Sequence, residues 1–318
     1  MAHLRGQYVN LKINPAGGST AVVASSTNCS IDIKANTADG SAKDDPGEGL
    51  FDNPEFINYS YSISNESFLV DISYLGILLD KVINGDATVN FSFGNNRGYG
   101  DRLGKEGEAI ISNLSVESPC DSFVKVNMSL EGTGRLTDTS VTVFSDSFKP
   151  RIKGKSLMVA IYDNSKWRTI ACSKNHKLNI NCNISDVSDK DYDDGFVIKE
   201  VTGKSVSLVT ENMVEAIETP NDATGMSSEG LSRLLQNGTT VNILFGYYAK
   251  SIGQSIHGIK EKTEGWGEPD LLLLRGDFMV TSLSYSGAVK DYVSYSAEFQ
   301  NKGIVTAGGS LSSVSLSE

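Results

Sequence analysis

Cysteine, histidine and basic residues are scarce in this sequence. Among its 318 residues there are four cysteines and three histidines. A disulfide scaffold needs more cysteines at closer spacing, and isolated histidines offer no catalytic constellation. We therefore expect buried, reduced thiols at Cys29, Cys120, Cys172 and Cys182.

The shortage of positive charge restricts the partners that the chain can hold. It carries 28 Lys and Arg residues against 39 Asp and Glu residues, a formal net charge of -11 at pH 7. Proteins that grip nucleic acid place cations against phosphates, so specific binding of DNA or RNA is not expected. Apolar runs of the length of a signal peptide or a bilayer-spanning helix are also missing, which predicts synthesis in the cytoplasm and no membrane partner.

What the sequence does contain is a long internal similarity. Ala24–Asp45 aligns without a gap with Ala171–Tyr192, and nine of the 22 aligned pairs are identical. Two further pairs of segments follow in the same order: Thr88–Asn90 with Thr240–Asn242, and Leu114–Ser115 with Leu283–Ser284. A period this long predicts tandem domains and excludes a solenoid of short repeats.

The similarity also predicts where the chain divides. We expect a first domain at residues 1–149 and a second domain at residues 150–306. The remaining residues, 307–318, are rich in Ser and Gly and have too little apolar content to form an element alone. They are predicted to be a flexible tail.

Apolar and polar residues alternate through most of the matched segments. Leu11 and Ile13 fall on one side of a predicted strand, and Leu178 and Ile180 do so in the second domain. A period of two predicts half-buried β-strands.

One amphipathic helix is predicted in each domain, because leucines recur there at the i, i+3, i+4 spacing of a single apolar face. Ser73 is the predicted N-cap of the first helix and Ser227 or Ser228 that of the second, and an Asn-Gly pair ends each one. The leucine faces are Leu75, Leu78 and Leu79, continued by Val82, and Leu231, Leu234 and Leu235. The fold is therefore predicted to be mainly β, with two tandem β-sandwich or barrel domains and one flanking α-helix in each.

One acidic segment has the outline of a calcium site. Asp189, Asp191 and Asp193 alternate, and Glu200 stands at the twelfth position, as in an EF-hand loop. The sharp turn of that loop needs glycine at its sixth position, whereas Gly195 stands at the seventh. A solvated acidic loop is the favoured interpretation, and calcium binding is the alternative.

No group of residues predicts catalysis. Carboxylates are numerous, but none is set apart with a second acid, a nucleophile or a base at a recognisable spacing. We therefore predict that the protein is not an enzyme and carries no cofactor.

An aromatic stretch has two interpretations. Phe51, Phe56, Tyr59 and Tyr61 could form a platform on which sugars stack, or they could contact neighbouring strands or subunits. Contact with strands or subunits is the favoured interpretation.

Three segments together resemble a family, the major tail tube proteins of long-tailed bacteriophages. They are the opening Gly6-x-x-x-x-Leu11, the helix followed by the strand Thr88–Phe91, and the closing pair Ile110–Val116 and Val124–Thr137. The closing pair contains the Glu-Gly-Thr-Gly sequence with which the family's last strands often end. The second domain departs from this pattern at Gln300–Gly303.

The resemblance implies a structural protein of the virion tail. Single-domain members form hexameric rings, so a chain with two such domains would close as a trimer with pseudo-sixfold symmetry. The rings would stack into a hollow tube through which phage DNA passes without specific binding. Assembly would take place in the host cytoplasm, with the tape measure, terminator and baseplate proteins as further partners.

The resemblance also implies contacts between stacked rings. The polar loops that follow Asp44 and Asp191 would reach the adjacent ring. The contact residues expected there are Asp44, Asp45, Phe51, Asp191 and Tyr192.

Two alternatives stay open at the level of sequence. The chain could be another tail ring component, such as a terminator or a distal-tail protein, which stops at one ring where a tube subunit polymerises. It could also be a carbohydrate-binding protein of two β-sandwich domains, which a glycan would stabilise.

Overall fold

A computed structural model describes most of the chain. The described residues are 9–14, 21–22, 26–39, 54–95, 104–139, 150–163, 166–170, 173–188, 195–214, 225–248, 271–287, 289 and 291–308. All statements below on structure concern these residues.

The described residues form fifteen strands and two α-helices. Seven strands and the first helix lie in the N-terminal part: β1 (Val9–Asn14), β2 (Ala21–Val22), β3 (Ser26–Asp39), β4 (Pro54–Phe68), α1 (Ile72–Ile83), β5 (Thr88–Asn95), β6 (Lys105–Pro119) and β7 (Lys125–Asp138). The others follow a short 3-10 turn: β8 (Leu157–Asp163), β9 (Lys166–Ile170), β10 (Ser173–Asp186), β11 (Lys199–Met213), β12 (Gly225–Met226), α2 (Ser228–Asn237), β13 (Thr240–Tyr247), β14 (Leu271–Ser286) and β15 (Ser294–Ala307). The predicted mainly β class, with helices beside the strands, is confirmed.

All of these strands belong to one continuous sheet. We call β1–β7 the N-terminal set and β8–β15 the C-terminal set. Hydrogen-bonded neighbours run in the order β2-β1-β5-β6-β7-β4-β3 in the N-terminal set and β9-β8-β13-β14-β15-β11-β10 in the C-terminal set. The two orders are the same, except that the C-terminal set has one additional short strand, β12, which pairs in parallel with β9. Residues of the matched strands can therefore be compared position by position.

The agreement extends to irregularities in the pairing. The hairpin β3–β4 has a register shift between Asn36 and Thr37, and β10–β11 has one between Asn183 and Ile184. These are corresponding positions, because β3 and β10 have the same length and begin at Ser26 and Ser173. Bulges are specific features of a strand pair. The two hairpins therefore have the same local geometry as well as the same place in the sheet.

The helix ends agree with the sequence predictions in part. Ser227 caps α2, with its hydroxyl accepting from the Gly230 amide, and Gly238 ends it in the left-handed conformation at φ 59°. The prediction for α1 was wrong: the N-cap is Asp71, whose carboxylate accepts from the Ser73 amide. A carboxylate reaches this amide as readily as a hydroxyl does, and sequence alone did not separate the two.

Helix α1 joins the two sets, because it packs against β14 and β15 of the C-terminal set. The Asn84 side chain donates to the Ala307 carbonyl at 2.9 Å and accepts from the Ala307 amide at 3.3 Å. The Lys204 ammonium donates to the Ile83 carbonyl at 3.1 Å. One apolar core consequently runs through both sets. It includes the predicted helix residues Leu75, Leu78, Leu79 and Val82, all buried.

Three further predictions from the sequence can be compared with the structure. Of the cysteines, Cys182 is buried and Cys29 is half-buried, but Cys120 is exposed, against the expectation of a buried thiol. Cys172 lies outside the described residues. Strand β15 continues to Ala307, the first residue of the predicted tail. No helix among the described residues is long and apolar enough to cross a membrane.

Candidate subunit interface at the open edges of the sheet

The two strand sets meet where β10 pairs with β6. The antiparallel register places Ile180 opposite Leu114 and Leu178 opposite Val116. Strand β6 bends from one partner to another along this edge, since its first residues pair with β5 and its last ones with β10. The junction is thus an ordinary β-ladder between segments far apart in the sequence.

One face of the junction is apolar and the other is polar. Leu114, Val116, Leu178 and Ile180 are each fully buried. On the opposite face the Ser115 hydroxyl donates to the Asn179 side-chain carbonyl at 2.9 Å. The two faces together supply apolar burial and specific hydrogen bonds, the combination that holds neighbouring strands in register.

The same polar face continues one residue pair further along. The Asn113 amide donates to the Asn181 side-chain carbonyl at 2.6 Å. Near the end of the ladder the Asn175 amide donates to the Glu117 carboxylate at 3.2 Å. These bonds connect the two strands across the junction by side chains as well as by backbone.

A histidine is enclosed at the end of the junction. His176 lies opposite Ser118, whose hydroxyl donates to the His176 carbonyl at 3.2 Å. Its ring lies 3.2 Å from the Ser173 hydroxyl through Nε2. Burial disfavours the charged imidazolium and lowers the pKa of His176 to about 4. The ring is neutral at pH 7 and serves as packing.

Strand β3, which corresponds to β10, has one edge that is not paired with another described strand. Strand β3 pairs with β4 along one edge and has no strand partner along the other among the described residues. Ile33 is 46% exposed, whereas the corresponding Ile180 is 0% exposed. The two residues are identical and correspond to each other, but β10 is paired with β6 on this side whereas β3 has no described strand partner there.

The strand that corresponds to β6 is open as well. β14 pairs with β13 only as far as Met279, so that the edge of Thr281–Ser286 opposite β15 has no strand partner among the described residues. Helix α2 packs against β14, and the Tyr285 hydroxyl donates to the Ser228 carbonyl at 3.5 Å. Tyr285 is 53% exposed, and the corresponding Val116 is 0% exposed. The unpaired edge of β3 and the unpaired part of β14 therefore each correspond to one strand of the junction.

The Tyr285 side chain lies exposed on the unpaired part of β14. Such an exposed aromatic residue is unusual in a protein that stays monomeric. Long unpaired edges with apolar side chains are the features that lead proteins to associate through their strands. Soluble proteins usually protect such edges with lysine, proline or a covering loop. The two open edges together form the candidate interface.

Most of the site residues predicted from sequence lie outside the described residues. These are Asp44, Asp45, Phe51, Asp189, Asp191, Tyr192 and Asp193. Glu200 is described: it lies in β11 opposite Ser185, with an exposed side chain. The calcium site and the contacts between rings therefore stay predictions. Within the described part of the chain, no cluster of three or more His, Cys, Asp or Glu residues is placed to hold a metal ion.

The aromatic stretch of β4 divides between the core and the surface. Tyr61 is buried, and its hydroxyl donates to the Glu108 carbonyl at 2.6 Å. Phe56 and Tyr59 are exposed, with ring centroids 4.5 Å apart, and Tyr59 also lies against Phe196. The stretch is thus one core residue and a small surface pair, in keeping with the favoured interpretation of strand contact.

The residues of the open edges were missed as a site at the level of sequence. Ile33 and Ile180 were seen there as an identical pair in matched strands. A buried residue and an exposed residue of the same type give the same alternating pattern. The signal becomes visible only when the pairing of β10 with β6 shows what Ile180 is buried against.

Comparison with known proteins gives structural neighbours only. No protein-family model matches the chain, and no curated protein sequence matches it. The chain is similar to a chain in the virion of a native gene transfer agent particle, with 19% identity and a TM-score of 0.34, over 49% of this chain and 97% of the other.

Two other neighbours come from tails. One is the tail of an empty gene transfer agent particle, obtained by helical refinement with C6 symmetry, with 19% identity, a TM-score of 0.35 and coverage of 49% of this chain and 97% of the other. The other is the SPP1 tail tube determined by solid-state NMR and cryo-EM, with 11% identity, a TM-score of 0.34 and coverage of 49% and 79%.

Proposed function

We propose that this protein is a structural subunit of a phage-type tail tube, whose copies join through the open edges of β3 and β14 into rings. The observation that carries the proposal is the β6–β10 junction, because one chain already contains the kind of contact that two copies would make. Each copy offers the β14 edge to one neighbour and the β3 edge to the other. Such head-to-tail contacts give a closed ring when the rotation between copies completes a circle.

Two copies are expected to pair β14 with β3 in the same register in which β6 pairs with β10 within one chain. Ile180 lies opposite Leu114 within the chain, and the strand orders of the two sets are the same. In the proposed contact the Ser284 hydroxyl donates to the Asp32 carboxylate, as Ser115 donates to Asn179 in the junction. The expected pairs between copies are Ile33 with Leu283, Ile31 with Tyr285 and Asp32 with Ser284.

The free energy of association is expected to favour a closed ring over a pair of copies joined by one edge contact. Burying one large aliphatic side chain contributes about 1.5–3 kcal/mol, and each backbone hydrogen bond contributes about 0.5–1.5 kcal/mol. Association itself costs about 4–15 kcal/mol in lost freedom of motion. A single edge contact therefore gives weak binding, whereas closing the ring adds a further contact without bringing in another molecule.

The proposed ring contains three copies. Residues 1–149 and 150–306 are proposed to be two tail-tube domains. The common strand order and the common positions of the bulges support this division. Three chains then present six domains around the ring, the number that the family resemblance implies.

Stacked rings would enclose a channel for DNA. The net charge of -11 supports a lining that repels phosphate and does not retain it. The loops with Asp44, Asp45 and Phe51 and with Asp191 and Tyr192 are proposed to contact the next ring. These loops are polar and variable in length between the two domains, as contact surfaces on a fixed scaffold are.

The proposal is tested by sedimentation and negative-stain electron microscopy over a series of protein concentrations. We expect rings of three copies that stack into hollow tubes at high concentration. The variant Ile33→Asp should remain monomeric and folded, because it places a charge in the proposed contact and leaves the core alone.

Val289→Asp is the matched control, since Val289 is exposed and close to β14 but outside the edge segment. This variant should form rings as the unaltered protein does. A protein that stays monomeric at high concentration would contradict the proposal. Rings that never stack would identify a terminator-type component instead.

A further inference from the structure

A second contact joins the two strand sets beside the junction. The segment Pro150–Gly154, which leads into β8, lies along Leu69 and Val124 of the N-terminal set. The Val124 amide donates to the Ile152 carbonyl at 2.9 Å, and the Ile152 amide donates to the Leu69 carbonyl at 2.8 Å. The segment thus adds a short extended piece of backbone to the N-terminal set.

The side chains of this segment fit the groove closely. The Arg151 guanidinium lies 4.3 Å from the centre of the Phe68 ring, within the range of a cation–π contact. The Gly154 amide donates to the Ser122 carbonyl at 2.9 Å. A Cβ atom at Gly154 would lie 2.0 Å from the Pro119 carbonyl oxygen, so that only glycine fits there.

The corresponding groove of the C-terminal set is empty among the described residues. Val214 corresponds to Leu69, and its amide donates to the Val293 carbonyl at 2.8 Å, as the Leu69 amide donates to Val124 at 2.9 Å. Val293 is 49% exposed where Val124 is 0% exposed, and Tyr292 is 76% exposed. We call the surface of Val214, Tyr292 and Val293 the open groove.

The segment that would fill the open groove follows from the strand register. Leu11 of β1 lies opposite Phe93 of β5, and Val159 of β8 lies opposite the corresponding Phe245 of β13. β1 and β8 therefore correspond to each other, with Leu11 at the position of Val159. The same alignment, continued without a gap toward the N-terminus, pairs the residues that precede the two strands.

This alignment places His3–Gly6 at the positions of Arg151–Gly154. The two segments read His-Leu-Arg-Gly and Arg-Ile-Lys-Gly, so that the aliphatic residue, the basic residue and the glycine agree in order. The glycine is the position at which close approach to the groove permits no side chain.

We propose that His3–Gly6 of a second copy fills the open groove, an inference that rests on the proposed ring. Within the chain, the unit that supplies β10 to the edge of β6 also supplies Pro150–Gly154 to the groove beside it. Between copies, the neighbour that supplies β3 to the edge of β14 supplies His3–Gly6 in the same way. The occupant is therefore the neighbouring copy and not the same chain.

The segment's backbone would complete two hydrogen bonds in the open groove. Its Leu4 carbonyl accepts from the Val293 amide, and its Leu4 amide donates to the Val214 carbonyl. These bonds repeat those of Ile152 with Val124 and Leu69. Burial of Leu4, Tyr292 and Val293 provides the apolar part of the contact.

A disulfide between copies tests this proposal. Phe123 and Lys153 are direct antiparallel partners, so Tyr292 and Arg5 are the corresponding pair between copies. Directly opposite residues have Cα atoms about 4.5–5.5 Å apart, which suits a disulfide. With the four native cysteines replaced by alanine, Arg5→Cys/Tyr292→Cys rings should give covalent dimers and trimers after oxidation.

Two matched pairs control the experiment. Phe123→Cys/Lys153→Cys should form its disulfide within one chain and run as a monomer. Arg5→Cys/Val289→Cys should give no crosslink above background, because Val289 is exposed and outside the groove.

Each outcome decides the question. Covalent oligomers from the Arg5→Cys/Tyr292→Cys variant support the proposal. Rings that form without any crosslink overturn the segment's role and leave the proposed ring intact, whereas a disulfide within single chains overturns the second copy as the occupant. A protein that forms no rings overturns both proposals.

Discussion

The β6–β10 junction and the open edges of β3 and β14 are built from corresponding strands, yet their side chains have opposite environments. Ile180 and Ile33 are identical residues at the same position of the same hairpin, one buried and one 46% exposed. The comparison teaches that exposure at the open edges reflects a missing neighbour. Both strands place aliphatic residues at the same alternate positions, Ile31 and Ile33 in β3 and Leu178 and Ile180 in β10.

The largest expected effect separates these two isoleucines. Ile180→Asp places an uncompensated charge in the core and should lower the free energy of unfolding by about 3–5 kcal/mol. Ile33→Asp should lower the stability of the monomer by only about 1 kcal/mol, the span of strand propensity, and still prevent ring formation. Urea unfolding of both variants at a concentration below assembly measures the first difference, and sedimentation measures the second.

Equal destabilisation of the monomer by both variants would break the comparison. It would mean that Ile33 is covered within its own chain. The matched variant Ile33→Val, which keeps the edge apolar, should assemble and unfold as the unaltered protein does.

The two helices also differ in the burial of their leucine side chains. Leu79 on α1 is fully buried, while Leu235 on α2 is only half-buried. Leu79→Ala should lower the free energy of unfolding by about 2–5 kcal/mol, the usual range for a fully buried leucine. Leu235→Ala should cost about 1 kcal/mol in the monomer. Thermal unfolding under identical conditions compares the two, and a larger loss for Leu235→Ala would contradict the account.

Acid should weaken the junction through His176. Its pKa is about 4 in the folded protein, below the ordinary value of 6.5, because burial disfavours the charged ring. The unfolded chain therefore takes up a proton as the pH falls through 6.5, and the folded chain does not until about pH 4. Stability is lost across this window, by up to about 1.4 kcal/mol for each pH unit.

His176→Cys removes this contribution and introduces the residue found at the corresponding position, Cys29. The free energy of unfolding of this variant should fall less steeply between pH 6.5 and 4 than that of the unaltered protein. Denaturant unfolding at a series of pH values gives the slope. Equal slopes for the two proteins would contradict a buried neutral histidine.

The smallest effect concerns the end of α1. The Lys204 ammonium donates to the Ile83 carbonyl, where a cation also complements the negative end of the helix dipole. Lys204→Gln should cost about 0.3–1 kcal/mol in low salt and less in high salt. Unfolding at two salt concentrations checks this, and a cost independent of salt would point to packing as the cause.

The strands and helices were predictable because their signals are local. Alternation marked Leu11 and Ile13, and the i, i+3, i+4 spacing marked Leu75, Leu78 and Leu79, all of which are buried. The N-cap of α1 was predicted wrongly at Ser73, because Asp71 two residues earlier competes for the same role.

The candidate interface was not predictable in this way. The pairing of β10 with β6 joins segments that are distant in the sequence, and no local pattern specifies which edge meets which. Ile33 and Ile180 have the same alternating neighbourhood, so only the three-dimensional sheet separates the covered edge from the open one. The segments around Asp44 and Asp191 lie outside the described residues, so their contacts stay predictions.

Hydrogen–deuterium exchange of the β3 backbone tests the central claim most directly. The assembled protein is compared with the variant Leu283→Asp, which leaves β3 unaltered and removes the edge that it should meet. We predict that the amides of Asn28–Lys34 that point away from β4 exchange slowly in the assembled protein and fast in the variant, while the amides of Asn175–Asn181 in β10 are slow in both. Fast exchange of Asn28–Lys34 in assembled rings would contradict the claim that copies join as the two strand sets do.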